Sequence, residues 1–108
     1  MPAIHLDEIS FKKLIQSDQP QPVMVDFWAP WCGPCKALGP VIDKLSDLYK
    51  NKAVVAKVNL DDVSPELAVE LDVTSIPTVK FFKNGQEIES LTGAYPQSKY
   101  EQILEENL

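Results

Sequence analysis

Cys32 and Cys35 are the only cysteines in the chain, set in the run Trp31-Cys32-Gly33-Pro34-Cys35-Lys36. Two thiols with two residues between them can open and close a disulfide within one turn of backbone. A disulfide in another protein can therefore be exchanged at one spot, through a mixed disulfide. Three plainer roles compete. A zinc site needs four ligands, and beyond the two thiols only His5 and carboxylates are on offer. A structural staple over so short a loop stabilises by roughly 2 kcal/mol, less than a long loop would. The pair could also be two buried thiols packed as small apolar residues. The flanking residues favour chemistry. Pro34 fixes its own φ and suits a first helical turn. That puts Cys32 at or just before a helix N-terminus, where free N–H groups and the helix dipole favour a thiolate. Cys35 falls one turn inside, within reach of Cys32 but more enclosed. Cys32 is then the outward-pointing attacker, and Cys35 the thiol that displaces it from the mixed disulfide.

Neighbouring residues could serve this pair. Trp31 is either core packing or a flat contact surface beside the nucleophile. Asp26 interrupts the apolar run Val23-Met24-Val25-Asp26-Phe27-Trp28. It is either a surface carboxylate or a buried one, and burial raises a carboxyl pKa. A buried Asp26 next to the motif could take the proton of Cys35. Lys57 sits mid-strand in Ala53-Val54-Val55-Ala56-Lys57-Val58. It pairs with Asp26 if the two strands are neighbours, and is otherwise an ordinary surface lysine.

The elements that must hold these residues alternate along the chain. Asp7 caps a first helix with Phe11, Leu14 and Ile15 on one face. Residues 23–28 read as a strand apolar on both faces. After the motif comes a long helix whose apolar face is Leu38, Val41, Ile42, Leu45, Leu48 and Tyr49. Residues 53–58 form a second strand, and Ser64-Pro65 opens another helix. Two strands flank Asn84-Gly85, a strong hairpin signal. Ser98 to Glu101 has the pattern of a capping box and opens a last helix, with Tyr100, Ile103 and Leu104 facing inward. Strand–helix–strand units imply parallel pairing and the hairpin adds antiparallel pairing. The expected product is an α/β fold, a mixed sheet with helices on both faces. Strand order is not legible from this pattern.

With 108 residues and 44% hydrophobic composition, one domain spanning residues 1–108 with its own core is expected. Sixteen acidic against ten basic residues give a formal charge of -6. That speaks against nucleic acid or an anionic membrane as the main partner. The first eight residues lack the basic region and apolar run of a signal peptide. The expected compartment is the reducing cytosol, with an organelle reached through a removed presequence left open.

The whole pattern resembles the thioredoxin family. Beside the Cys motif, the matching segments are Val25-Asp26-Phe27-Trp28-Ala29, Lys57-Val58-Asn59-Leu60-Asp61, Ile76-Pro77-Thr78, Phe81-Phe82-Lys83-Asn84-Gly85 and Gly93-Ala94. The resemblance implies a three-layer α/β/α fold, a sheet of four or five strands with about four helices. It implies a cis peptide before Pro77, facing the disulfide. Ile76 backbone groups would pair with an extended substrate strand, inside an apolar surface framed by Trp31, Gly33, Pro34, Ile76, Pro77, Gly93 and Ala94. Asp26 and Lys57 match the family's buried carboxylate and its lysine neighbour, and Pro40 would kink the long helix. Gly39, just before Pro40, departs from the usual pattern.

The activity implied is protein-disulfide reduction with no bound cofactor or metal, and a monomer is the default expectation. Its redox centre is the Cys32–Cys35 disulfide, recharged by a thioredoxin reductase that draws on NADPH or ferredoxin. The partners are then that reductase and diverse disulfide-containing proteins. An oxidant or isomerase on the same fold usually carries His between its cysteines, where this chain has Gly33-Pro34. A binding module that docks through the surface around Trp31 without redox chemistry is the remaining alternative.

Overall fold

The computed structural model describes residues 2–108. Met1, the first residue of the stretch weighed above as a leader, lies outside them. Strands β1 (Ile4–His5), β2 (Val23–Trp28), β3 (Val54–Asn59), β4 (Thr78–Lys83) and β5 (Gln86–Thr92) form one sheet in the order β1-β3-β2-β4-β5. β3 runs parallel to both β1 and β2, while β4 is antiparallel to β2 and to β5. The expected mixed sheet is therefore present, with β2 at its centre.

Successive residues of a strand point to opposite faces, so β2 serves two cores at once. Met24 joins Leu38, Ile42 and Leu45 of α2 (Gly33–Leu48) and Tyr100, Ile103 and Leu104 of α4 (Gln97–Glu106). Val23, Val25 and Phe27 join Phe11 of α1 (Glu8–Gln16) and Leu67 of α3 (Pro65–Glu70). Phe11 stacks edge-on against Phe27 and Phe82. α2 and α4 thus cover one face, and α1 and α3 the other. Asp26 shares the α2 face with Met24.

Local signals were answered in most places. Asp7 caps α1 in a reciprocal box with Ser10, each side chain accepting the other's backbone N–H. Asn84 and Gly85 have φ of 52 and 78, the left-handed pair that closes a two-residue hairpin. Two expectations need correction. Leu48 is 51% exposed. At 100° per residue it stands roughly 80° round the helix from Leu38, outside the arc that Ile42, Leu45 and Tyr49 share. The capping box at Ser98 is not formed: α4 begins at Gln97 behind Pro96, which makes no side-chain cap bond. Pro96 fixes the entry, and the Tyr95 N–H donates to the buried Tyr100 hydroxyl at 3.1 Å. Ser64 is the N-cap residue of α3 as expected, but its side chain makes no bond to the helix N–H groups. It donates its N–H (2.8 Å) and hydroxyl (3.0 Å) to the Glu8 carboxylate, joining α3 to α1.

Strand β1 was not foreseen, because two residues carry no readable alternation. Gly39 lies inside α2 just before Pro40. The residue before a proline resists helical geometry partly through its Cβ, and glycine has none. The helix runs on past Pro40 to Leu48.

Candidate active site

The Cys motif hangs from the C-terminal end of the central strand. Cys32 is the N-cap of α2 with φ -93 and ψ 108, and Pro34 lies in the first helical turn. The two sulfurs are bonded to each other across a Cα–Cα separation of 5.3 Å. The Cys35 N–H donates to Cys32 Sγ at 3.2 Å. That N–H is one of the helix's unpaired donors, aimed at the sulfur where negative charge would develop on reduction.

Exposure follows the expected order, Cys32 6% and Cys35 2%. The expected outward-pointing Cys32 is not seen in the disulfide state, however. Its sulfur is bonded to Cys35 on one side and roofed on another by the Ile76 carbonyl, 3.8 Å away. The roof is the loop before β4, where the Ile76–Pro77 peptide is cis. Thr78 Oγ1 donates to the Ser75 carbonyl at 2.6 Å and closes that loop. Gly93 has φ 94 and gives its N–H to the Pro77 carbonyl at 2.8 Å. A left-handed φ of this kind favours glycine. A chain of contacts therefore runs from Cys32 through Ile76 and Pro77 to Gly93, with exposed Ala94 next in line. Gly33 and Pro34 are exposed beside it and Ile76 is half-buried. Trp31 is 71% exposed, so it is no core residue. Its indole N–H donates to Asp61 Oδ1 at 3.1 Å.

Beneath the motif, Asp26 is 1% exposed and its Oδ1 has no protein hydrogen-bond partner. Burial pushes its carboxyl up to about 7; the Lys57 ammonium pulls the other way and the Asp43 charge adds to the rise. Lys57 is the register partner of Asp26 on β3. The expected pairing is nevertheless corrected in one respect, since the Lys57 ammonium forms its ion pair with Asp43 of α2, at 3.1 Å. Asp43 offers a charged carboxylate at the surface end of the lysine stem, whereas Asp26 is buried where charge is costly. Burial alone would raise Asp43; the Ala3 N–H and the Lys57 ammonium hold it below the ordinary carboxylate range. A cavity of about 210 Å³ lies between these groups, lined by Asp26, Cys35, Lys57, Gly39, Trp28 and His5. Asp43, Asp61 and the cavity position of His5 carried no signal in the sequence, because each depends on which elements come to lie side by side.

Among the described residues no group of three or more His, Cys, Asp or Glu side chains is placed to hold a metal ion. No described helix is long and apolar enough to cross a membrane.

A helix-capping cysteine bonded to its neighbour one turn on, at the end of a mixed-sheet strand and under a cis-proline loop, defines a thiol–disulfide oxidoreductase. The family model described as Thioredoxin matches residues 2–106. The chain is 47% identical over 103 residues to the "Thioredoxin M-type, chloroplastic" of Spinacia oleracea, covering 95% of this chain and 56% of that protein. It is 42% identical over 106 residues to "Thioredoxin 1" of Nostoc sp., covering 98% and 97%. The solved structure of the Malassezia sympodialis thioredoxin (Mala s 13) superposes with a TM-score of 0.85 at 38% identity, covering 99% of this chain and 94% of that one. The chain belongs to the thioredoxin family.

Proposed function

We propose that the chain is a general protein-disulfide reductase. The observation that carries this is Cys32 at the N-terminus of α2, its sulfur receiving the Cys35 N–H at 3.2 Å. In the dithiol form that N–H and the helix dipole stabilise a thiolate on Cys32. The thiolate attacks one sulfur of the substrate disulfide; the Cys32–substrate bond forms and the other substrate sulfur leaves as a thiolate. Cys35 then gives its proton to Asp26 and attacks Cys32 Sγ. The mixed disulfide breaks and the second substrate sulfur leaves, to be protonated from solvent. The substrate has gained two electrons and the cysteine pair has lost two.

The substrate lies against Trp31, Gly33, Pro34, Gly93 and Ala94, with its backbone alongside Ile76 and Pro77. Extended backbone pairing tolerates many side chains, which suits many partners. Lys57, in ion pair with Asp43, tunes Asp26 through space. A thioredoxin reductase supplied by NADPH or ferredoxin returns the pair to the dithiol. The protein works as a monomer in one domain, in a reducing compartment, either cytosol or an organelle such as the chloroplast that names several relatives.

Cys35→Ser is expected to trap a covalent mixed disulfide on Cys32 when mixed with a disulfide-bonded test protein, whereas Cys32→Ser traps little. Mass spectrometry of the adducts reads the outcome, and equal trapping by the two variants overturns the assignment. Full biological activity in the double Cys→Ser variant would instead make the protein a docking module. Equilibration with glutathione separates a reductase, which stays strongly reducing, from an oxidant.

A further inference from the structure

Asp26, Lys57 and His5 stand on one rung of the sheet. Asp26 pairs with Lys57 between β2 and β3, and Lys57 with His5 between β3 and β1. All three side chains therefore leave the sheet on the α2 face. Two strand spacings place Asp26 about 10 Å from His5, too far for direct transfer of a proton. The space is bridged by the 210 Å³ cavity, which both residues line and which has room for several water molecules. His5 and Trp28 also line a second, outer pocket of about 280 Å³, together with Asp7 and Asp62. These two side chains are thus the wall shared by the inner and outer spaces. They pack edge to face, ring centroids 6.2 Å apart and planes at 67°. His5 is exposed to solvent.

Proposed resolution leaves a proton on Asp26 at every turnover, in a site where one carboxyl oxygen has no protein partner. Whenever Asp26 sheds that proton before the pair is reduced again, the proton needs a way out of the buried site, and Cys35 needs one back on reduction. The Lys57 ammonium, held by Asp43, has no lone pair with which to accept it. Imidazole is the side chain that both takes up and releases protons near neutral pH, and the chain has a single histidine. The charged groups around His5 are Lys57 from β3, Asp43 and Lys36 from α2, and Asp7 and Asp62 in the outer pocket.

We propose that His5 is the outer station of a proton path, linking Asp26 to solvent through the cavity it shares with Cys35. Asp26 releases its proton into the cavity, His5 takes one up at the far end, and the imidazole hands it to solvent. The same steps run inward when the disulfide is reduced again. His5 touches no reacting sulfur and acts through Asp26, so the proposal rests on Asp26 being the base that resolves the mixed disulfide.

The test is a pH jump on the full, oxidised chain, followed by time-resolved infrared absorption of the Asp26 carboxyl. Asp26→Asn must abolish the band and so assigns it. His5→Ala and His5→Gln are expected to slow its relaxation by about tenfold or more. The equilibrium midpoint of the band and the thermal midpoint of the protein stay in place. Dissolved imidazole is expected to restore the rate in His5→Ala. A native relaxation rate in either variant overturns the path: in His5→Gln it would show that His5 only holds water, and in His5→Ala that the cavity exchanges protons directly. A shifted midpoint at unchanged rate would reduce His5 to a charge effect and also overturns it. The rate of mixed-disulfide resolution in Asp26→Asn keeps the two claims apart. If that rate is native, Asp26 is not the base and the relay falls with it; if it is slowed while the His5 variants relax normally, the relay alone fails.

Discussion

Asp26 is an acid set in a strand whose other members are apolar, and its cost to the fold is set by pH. Unfolded, it titrates near its ordinary 3.8; folded, burial moves it to about 7. Between those values the native state binds more protons than the unfolded one, so stability falls as pH rises through this window. Each unit is worth about 1.4 kcal/mol, giving up to about 4 kcal/mol once pH exceeds the folded pKa. Asp26→Asn removes the ionisation and keeps the shape. It is expected to raise the urea midpoint at pH 8 while leaving it nearly unchanged at pH 4. Equal effects at both pH values would mean that the carboxyl is not held in its neutral form by burial. At this scale the sequence was informative wherever a residue type clashed with its surroundings: an acid in an apolar strand, a proline in a first helical turn, two thiols two residues apart. It was silent on Asp43, Asp61 and the placement of His5, ordinary polar residues whose partners lie 14, 30 and 52 positions away at Lys57, Trp31 and Lys57.

Elements were legible to the extent that their signal is local. The period of apolar residues marked three helices, Ser64-Pro65 marked the start of the fourth, and Asn84-Gly85 marked the hairpin between β4 and β5. Ser98 misled because the start of α4 is decided by Pro96 and by the Tyr95–Tyr100 bond, a contact made after the helix has docked. The cis peptide at Ile76–Pro77 was expected from family resemblance alone, since Ile-Pro reads equally well as an ordinary turn. The hairpin provides a clean test of local coding. At Gly85 an added Cβ would meet the Ile15 and Gln16 carbonyls at ordinary contact, 3.8 and 3.9 Å, so space is not the obstacle. The obstacle is φ of 78. Gly85→Ala is expected to cost about 1–2 kcal/mol, read as a lower thermal midpoint, with Gly85→Asn less affected. Disulfide reduction is expected to be unchanged in both, because this turn lies at the opposite end of β4 from Pro77. Equal loss in Ala and Asn would point to packing rather than backbone geometry.

For the whole molecule, the two cores are large and neither is closed by the disulfide. Cys32 and Cys35 span one helical turn, and the aromatic and aliphatic layers on both sheet faces are built without them. Reduction with dithiothreitol is accordingly expected to lower unfolding free energy by roughly 2 kcal/mol, the chain-entropy figure for so short a loop. The reduced chain should keep its native circular dichroism and unfold in one transition. Loss of tertiary structure on reduction would show that the bond holds the fold. A redox centre needs this independence, since both of its states must present the same surface.

The reactive turn grows out of the middle strand of five, with β1 and β5 at the margins. Fraying begins where backbone groups face water, so the margins open long before the middle does. The slowest amide exchange in the protein is therefore expected in β2, a step from its most reactive sulfurs. Transient opening at either border leaves the turn that carries Cys32 and Cys35 in place.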